Sequence, residues 1–275
     1  MTTTFADTDY ELVQDLEYAK AGDHTLLLDL YLPKSVDNPP LVVWIHGGAW
    51  RAGSKKSMPL KWLVPKGYAI ASVDYRLSPI AKFPAQIHDC KAAIRFLRAK
   101  QSQYKYDAER IAVAGASAGG HLVALIGTTN GHAELEGKVG DHPEQSSDVQ
   151  GTIDYYGPTN FMTILKQSTP HGLSVRVPAL ELLIGGQPEN KTDLAKLASP
   201  VLHVDAKDPP LLMLHGDQDP QVPINQSHEL HAAFKQHKLD VTLEVVHGGA
   251  HGGKRFYDDA RRKLVEGFCR EHLKR

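Results

Sequence analysis

The chain contains 275 residues, of which 41% are hydrophobic and 23% charged, and this composition excludes wholesale disorder. Its 31 Lys and Arg residues and 32 Asp and Glu residues leave a formal charge of −1, which argues against electrostatic binding of nucleic acid or of an anionic membrane. No apolar run approaches the ~20 residues of a membrane-spanning helix, and residues 1–10 lack the basic and apolar regions of a signal peptide. We therefore expect a cytoplasmic protein without nucleic-acid or membrane partners.

Strand-like patterns recur along the chain and change character after the first two. Residues 13–19 and 26–32 alternate or nearly alternate between apolar and polar side chains, as strands at an antiparallel edge with one solvated face do. The later strand-like segments are mostly apolar, which is typical of parallel strands covered on both faces. These segments are residues 41–45, 68–73, 111–114, 151–156, 211–214 and 241–246.

Helical patterns lie between these strands and after the last of them. Apolar residues recur at helical spacing at Ile87, Cys90, Ile94 and Leu97, and again at Phe256, Ala260, Leu264 and Phe268. The alternation predicts a single α/β domain over residues 1–275, with a mostly parallel central sheet and helices on both faces.

One connection is too long for this scheme. Residues 158–209 separate two strand-like runs by ~50 residues, far more than an ordinary connection requires. Short helical patterns at 179–184 and 194–198 are interrupted there by prolines and glycines. We interpret this segment as a small cap inserted over the mouth of the sheet.

The candidate nucleophile lies in the segment Gly115-Ala-Ser117-Ala-Gly119, which directly follows the apolar run 111–114 and leads into residues that can be helical, 121–129. A strand, a tight turn and a helix in this order form a nucleophile elbow, in which the serine hydroxyl projects above the carboxyl edge of the sheet. The flanking glycines allow strand and helix to approach closely. No lysine at P-loop spacing and no G-x-G-x-x-G pattern accompany the motif, which argues against a nucleotide site.

A serine hydroxyl needs a base within hydrogen-bond distance, and histidine is the usual base near neutral pH. Two of the 15 histidines, His247 and His251, lie on the glycine-rich loop after the last strand-like run. His247 adjoins that strand, and we expect the strand end to hold it, whereas His251 can lean over Ser117. We therefore choose His251 as the base. Three further histidines near the same edge are interpreted as hydrogen-bonding scaffold: His46, His121 and His215.

The base needs a carboxylate that fixes its tautomer and stabilises the imidazolium. Two aspartates, Asp217 and Asp219, follow the strand-like run 211–214. We choose Asp219, which lies further along the turn, and expect Asp217 to cap the turn by bonding nearby backbone. The resulting order along the chain is nucleophile, acid, base, which is the order of α/β-hydrolases.

An oxyanion hole is predicted after the buried run 41–45, where the sequence reads His46-Gly-Gly-Ala-Trp50. Glycines allow the backbone to point N–H groups at a developing alkoxide, and the loss of one such donor typically costs ~10²–10³ in rate. The expected donors are the amides of Gly48, Ala49 and Ala118.

With these motifs in place, the sequence resembles the α/β-hydrolase superfamily, and in particular the esterase branch around hormone-sensitive lipase, the bifunctional feruloyl/acetyl-xylan esterases and the kynurenine formamidases. Ala49 departs from the lipase-like pattern, which has a third glycine there, and matches the feruloyl-esterase-like and formamidase-like form. A strand pattern already begins near Val13, so we expect residues 158–209 to take the capping role of the lipase-like N-terminal helices. The residues that carry the likeness are 46–50, 74–77, 83–84, 89, 115–121, 215–219 and 249–252.

The resemblance implies a serine carboxylesterase that hydrolyses short-chain acyl or aryl esters through an acyl-enzyme, with no metal or organic cofactor. Three alternatives stay open: an arylformamidase acting on an amide, a peptidase, and a non-catalytic ligand-binding protein with this fold. We expect the substrate to be a small-molecule ester and the protein to be a monomer or homodimer.

Candidate substrate-binding residues are Trp50, Tyr156 and Phe161. Cys90 and Cys269 are expected to be buried apolar residues.

Overall fold

The computed structural model describes residues 9–274; the expectation about a signal peptide rests mainly on residues 1–8, which lie outside this range. Within it, the chain forms one eight-stranded sheet in the order β1-β2-β4-β3-β5-β6-β7-β8. The strands are β1 Tyr10–Ala21, β2 His24–Pro33, β3 Pro40–Ile45, β4 Ala69–Val73, β5 Asp107–Ala116, β6 Gly151–Tyr155, β7 Leu211–Gly216 and β8 Val241–Val246.

Strand β1 pairs antiparallel with β2, and β2 pairs antiparallel with β4. The remaining strands, which are β4, β3, β5, β6, β7 and β8 in sheet order, run parallel to one another. The expected mostly parallel sheet with an antiparallel edge is confirmed. The α-helices are α1 Ala85–Tyr104, α2 Ala118–Gly127, α3 Ala133–Glu136, α4 Ile164–Gln167, α5 Pro170–Ile184, α6 Thr192–Leu197, α7 Asn225–Gln236 and α8 Asp259–His272, with 3₁₀ turns at Pro59–Lys66, Pro200–Leu202 and Lys254–Tyr257.

Strand β3 shows why its sequence is apolar throughout. Leu41 and Val43 belong to a core that contains residues of α1 and α2, whereas Val42 and Trp44 belong to a second core with residues of α8. Successive side chains of a strand point to opposite faces, so a strand between two helical layers needs apolar residues at every position. Helices on both faces of the sheet are therefore confirmed.

Two predicted helices begin at other residues than expected. Helix α2 begins at Ala118 rather than 121, because the elbow turn at Ser117 leads directly into the helix. Helix α8 begins at Asp259, and Phe256, which fits the helical spacing, lies in the preceding 3₁₀ turn. The side chain of Asp258 accepts a hydrogen bond from the Arg261 amide and caps α8.

The segment between β6 and β7 contains α4, α5 and α6. Only the last turns of α5 were predicted, as residues 179–184, because Pro170 and Pro178 are strong helix breakers in a sequence pattern. Pro170 instead occupies the first turn, where its missing N–H costs nothing, and Thr169 accepts a hydrogen bond from the Gly172 amide. Leu180 and Leu183 of α5 join the core that α1 and α2 form.

The loop after β3 is fixed to the antiparallel edge by a buried lysine. The Lys55 ammonium donates hydrogen bonds to Asp29 on β2 at 2.6 Å and to Asp15 on β1 at 2.7 Å. Its amide donates to the Asp74 carboxylate at 2.6 Å, and its carbonyl accepts from the Ser72 hydroxyl at 2.6 Å. Burial alone lowers the pKa of Lys55, but the two carboxylates outweigh it and raise the net pKa above its usual value.

We expect Asp29→Asn to lower the free energy of unfolding by about 3 kcal/mol or more, because it leaves the Lys55 ammonium buried without its buried counter-charge. Urea denaturation at neutral pH measures the loss. The matched control is Asp15→Asn, which removes a largely exposed carboxylate from the same ammonium and should cost much less. Equal losses in the two variants would contradict this assignment.

Candidate active site

Ser117 lies in a strained turn between β5 and α2. Its backbone has φ 55° and ψ −115°, a conformation that L-residues rarely adopt, and its amide donates to the Tyr155 carbonyl at 2.8 Å. Close approach requires glycine beside it, since a Cβ on Gly119 would lie 2.0 Å from the Ile45 carbonyl oxygen. The strained elbow expected from the sequence is present, and it holds the serine at the carboxyl edge of the sheet.

The side chains of Ser117, His251 and Asp219 form a continuous chain of hydrogen bonds. His251 Nε2 lies 2.8 Å from Ser117 Oγ, and His251 Nδ1 lies 2.6 Å from Asp219 Oδ2. A neutral imidazole then donates from Nδ1 to the carboxylate and accepts the serine proton at Nε2. The structure thus brings together the three side chains that the sequence analysis selected.

Asp219 is held in one orientation as a buried carboxylate. Its Oδ1 accepts hydrogen bonds from the amides of Gln221 at 2.8 Å and Val222 at 2.9 Å. Burial alone raises the pKa of this carboxyl, but interactions with His215 and His251 outweigh burial, and the net pKa lies well below the usual range. Asp219 is therefore ionised at neutral pH and faces the imidazole as an acceptor.

The two rival residues form a separate pair at the surface. His247 Nδ1 lies 2.9 Å from Asp217 Oδ2, and the side chain of His247 is 84% exposed. The expectation that the strand end holds His247 was wrong, because the carboxylate of Asp217 holds its ring in solvent. Asp217 also accepts a hydrogen bond from the Gly248 amide at 2.7 Å, so the backbone that it binds belongs to the loop after β8 rather than to its own turn, where the bond was expected.

The loop after β3 lies directly against the elbow. Gly48 has φ +112°, and a Cβ there would lie 2.0 Å from the Ala52 carbonyl oxygen, so the turn requires glycine. Ala49 also has positive φ, at 52°. Both residues line a cleft beside Ser117. Ala118 is the first residue of α2, where N–H groups have no acceptor within the helix.

The other predicted histidines form hydrogen bonds that support this arrangement. Trp50 Nε1 donates to His121 Nδ1 at 3.1 Å, so the His121 proton lies on Nε2 and is donated to the Ala198 carbonyl at 2.7 Å. Burial lowers the pKa of His121 to about 4, and the ring is neutral at pH 7. His46 lies 2.7 Å from the Gly47 carbonyl, and His215 bonds buried groups of the loop and helix that follow β7.

Of the three candidate substrate-binding residues, only Tyr156 lines the cleft. Trp50 and Phe161 are buried in the core, with their ring centroids 5.5 Å apart. Their assignment to a substrate pocket is corrected, because apolar burial directs both rings inward beneath the loop that carries Gly48. Tyr156 packs its ring edge-on to His251 at a centroid distance of 4.8 Å.

The cleft has a volume of about 900 Å³ and receives residues from six parts of the chain. The sequence analysis missed most of its walls, including two residues of α5, because spacing along a helix does not say which face meets a site. Among the described residues that line it, none is acidic. Side chains that border the cleft beside the elbow include Trp44, Arg51, Met58, Val175, Arg176, Gln221 and Tyr257.

No group of three or more His, Cys, Asp or Glu side chains in residues 9–274 is placed to hold a metal ion. None of the helices in that part of the chain has both the length and the apolar character needed to cross a membrane. Cys90 and Cys269 are free and buried, as the sequence predicted.

One buried carboxyl lies beneath the elbow without a counter-charge. Asp154 Oδ1 accepts a hydrogen bond from the Gly157 amide at 2.8 Å, and its Oδ2 has no partner within residues 9–274. Burial raises the pKa of Asp154, and the hydrogen bond from Gly157 and the charge of His215 lower it by less, so that the net pKa is about 6.

A serine, a histidine and an aspartate joined by hydrogen bonds above the carboxyl edge of this sheet define an α/β-hydrolase. A sequence model of the BD-FAE family matches residues 28–234, and the chain belongs to that family. This confirms the resemblance to feruloyl/acetyl-xylan esterases that the motifs indicated.

Known relatives carry esterase names. A "probable carboxylic ester hydrolase LipM" of Mycobacterium tuberculosis is 31% identical over 80% of this chain and 51% of its own length. A solved carbohydrate esterase from gut microbiota is 32% identical, with a TM-score of 0.89, and covers 98% of this chain and 99% of its own. The propionate-bound esterase Est2 of Thermogutta terrifontis is 25% identical, with a TM-score of 0.78, over 96% of this chain and 94% of its own. The chain spans about half the length of the curated esterases it matches, such as LipM.

We expect Asp154→Asn to raise the free energy of unfolding at pH 7.5 by up to about 3 kcal/mol, since one pKa unit is worth ~1.4 kcal/mol. A carboxyl whose folded pKa lies above its unfolded pKa favours folding only when protonated, so its cost grows as the pH rises through about 6. At pH 5 the gain from the substitution should be roughly half as large. Urea denaturation at both pH values measures it, and a gain independent of pH would sink the prediction.

Proposed function

We propose that this protein is a carboxylic-ester hydrolase that works through an acyl-enzyme on Ser117. The observation that carries the proposal is the hydrogen-bonded chain from Ser117 through His251 to Asp219 on a strained elbow. The esterase names of the relatives support the same reaction. Neither the site nor the comparisons favour the arylformamidase alternative.

In the proposed reaction, Ser117 Oγ attacks the ester carbonyl as His251 Nε2 takes its proton. Asp219 holds the Nδ1–H of the ring and stabilises the imidazolium. The ester bond breaks, and the alcohol leaves with the proton from His251. Water then attacks the acyl-enzyme, with the same imidazole as base, and releases the acid and the free serine.

The alkoxide formed in each half-reaction is stabilised by backbone N–H groups. We assign this role to Gly48, Ala49 and Ala118. The positive φ of Gly48 and Ala49 and the position of Ala118 at the start of α2 support the assignment. The anchoring of Lys55 further along the same loop keeps these donors in place without the substrate.

The substrates we propose are short-chain acyl or aryl esters of small molecules, carbohydrate esters among them. The propionate-bound structure of Est2 and the carbohydrate esterase named above support these two features. We further propose that residues 158–209 act as a cap, because Val175 and Arg176 of α5 form one wall of the cleft.

Ser117→Ala should lower kcat/KM for 4-nitrophenyl butyrate by about 10⁴-fold or more, because it removes the hydroxyl that is hydrogen-bonded to His251 Nε2 and that forms the acyl-enzyme in this mechanism. The release of 4-nitrophenol and covalent labelling by a fluorophosphonate probe measure the effect, and circular dichroism shows whether the variant is folded. Hydrolysis that persists in the variant would falsify the mechanism. A wild-type protein that is neither active nor labelled would favour the ligand-binding alternative.

Asp219→Asn should lower kcat by about 10³–10⁴-fold, because an amide in place of the carboxylate favours the wrong tautomer of His251. The matched control is Asp217→Asn, two residues earlier in the same loop, which removes the partner of an exposed histidine. Its kcat should stay within threefold of wild type. Comparable losses in the two variants, measured on 4-nitrophenyl butyrate, would show that the loop rather than the Asp219–His251 bond matters.

A further inference from the structure

Arg176 is a buried cation at the edge of the cleft. It lies on α5, only 1% of its surface is exposed, and it lines the cleft together with Ser117 and His251. Its Nε and Nη1 atoms are sealed from solvent and have no hydrogen-bond partner within residues 9–274. A guanidinium with two unsatisfied buried nitrogens is a costly feature for a protein to retain.

The neighbours of Arg176 keep the guanidinium charged, but none of the described ones forms a salt bridge with it. The guanidinium lies 5.7 Å from the centre of the Trp50 ring, within the range of a cation–π contact. Burial lowers the pKa of Arg176 to about 10, so the group stays charged at neutral pH. The carboxylate whose field acts on it is Asp219, and that carboxylate already accepts hydrogen bonds from His251, Gln221 and Val222.

A second cation lies on the same cleft, and none of the described residues that line it is acidic. Arg51, on the loop that also carries Gly48 and Ala49, lines the cleft, and its charge acts unfavourably on that of Arg176. Among the described residues of the lining, the side chains other than Arg51, Arg176 and His251 are neutral at pH 7. The two permanently charged side chains of the described lining, Arg51 and Arg176, are therefore both cations.

We propose that the cleft selects esters that carry a carboxylate, and that Arg176 is the residue that binds this carboxylate. The inference rests on the proposed function and deepens it by naming the class of substrate. An anion in the cleft would supply the hydrogen-bond acceptor that Arg176 Nε and Nη1 lack within residues 9–274, and charge-assisted hydrogen bonds to guanidinium are among the strongest in proteins. The burial of Arg176 and its contact with the Trp50 ring restrict the guanidinium before binding, which limits the entropy lost when a ligand binds.

Two pairs of substrates test the proposal and separate the two possible locations of the carboxylate. On the acyl side, the pair is 4-nitrophenyl hydrogen adipate and its methyl-capped, neutral counterpart. On the alcohol side, the pair is an acetylated methyl glucuronoside and the corresponding acetylated methyl glucoside. We expect kcat/KM to favour the anionic member of at least one pair by fivefold or more at low salt, and the preference to shrink as salt is added. Wild-type enzyme that shows no preference for the anion in either pair overturns the proposal.

Variants of Arg176 then tie the preference to this residue. Arg176→Gln should lower the ratio of anionic to neutral kcat/KM by about tenfold or more, mainly through KM, and Arg176→Lys should restore part of the ratio because it keeps the charge. The control is Arg270→Gln, which removes an exposed cation from α8, away from the cleft, and should leave the ratio unchanged. A ratio that survives in Arg176→Gln contradicts the assignment.

Binding to the Ser117→Ala protein separates failure of this inference from failure of the proposed reaction. Calorimetry with ethyl hydrogen adipate and diethyl adipate measures the preference for a carboxylate without turnover. Tighter binding of the anion supports the inference even if Ser117 proves not to be the nucleophile. Equal binding within this pair and within the glucuronoside and glucoside pair overturns it. If the Arg176 variants do not fold, calorimetry on wild-type protein with hexanoate and hexanamide still measures the preference for a carboxylate.

Discussion

The imidazole of His251 joins loops that start from three different strands, and the site depends on this ring. Neighbouring strands lie about 4.8 Å apart, so β5 and β8, which are separated by β6 and β7, end roughly 14 Å from each other. The loop after β8 must therefore turn back over the sheet to bring the ring to Ser117. It does so with the Gln218 amide bonded to the Gly249 carbonyl at 3.0 Å and with Tyr156 packed against the ring.

The frame around this ring is stiff because each part is fixed by an independent set of contacts. Asp219 is oriented by two backbone amides, the elbow by its close packing against β3, and the loop after β3 by the buried Lys55. Donors that are held in place before the substrate arrives need no reorganisation in the transition state, which is the main source of electrostatic catalysis. Strain at Ser117 persists because the surrounding core over-determines the turn.

The residues that we propose to select the substrate lie in a different part of the chain from those that we propose to carry out the reaction. The catalytic groups stand on loops at the carboxyl edge of the sheet, whereas α5, from the long segment between β6 and β7, contributes Val175 and Arg176 to the facing wall. The hydrogen bond from His121 to Ala198 connects that segment to the elbow helix. A change of specificity can thus come from α5 without disturbing the hydrogen bonds of Ser117 and His251.

Local signals in the sequence were sufficient to predict the succession of strands and helices along the chain and the elbow, and they led to the choice of His251 and Asp219, which the structure brings to Ser117. Each of these follows from a motif at a strand end, and parallel strands bring their carboxyl ends to one edge whatever the rest of the chain does. Phe161 and Trp50 were misplaced, and Arg176 was missed, because the direction of those side chains is set by packing between distant segments. A residue's neighbours along the chain carry no record of which face of a helix will meet a cleft, so only the tertiary structure decided the walls of the site.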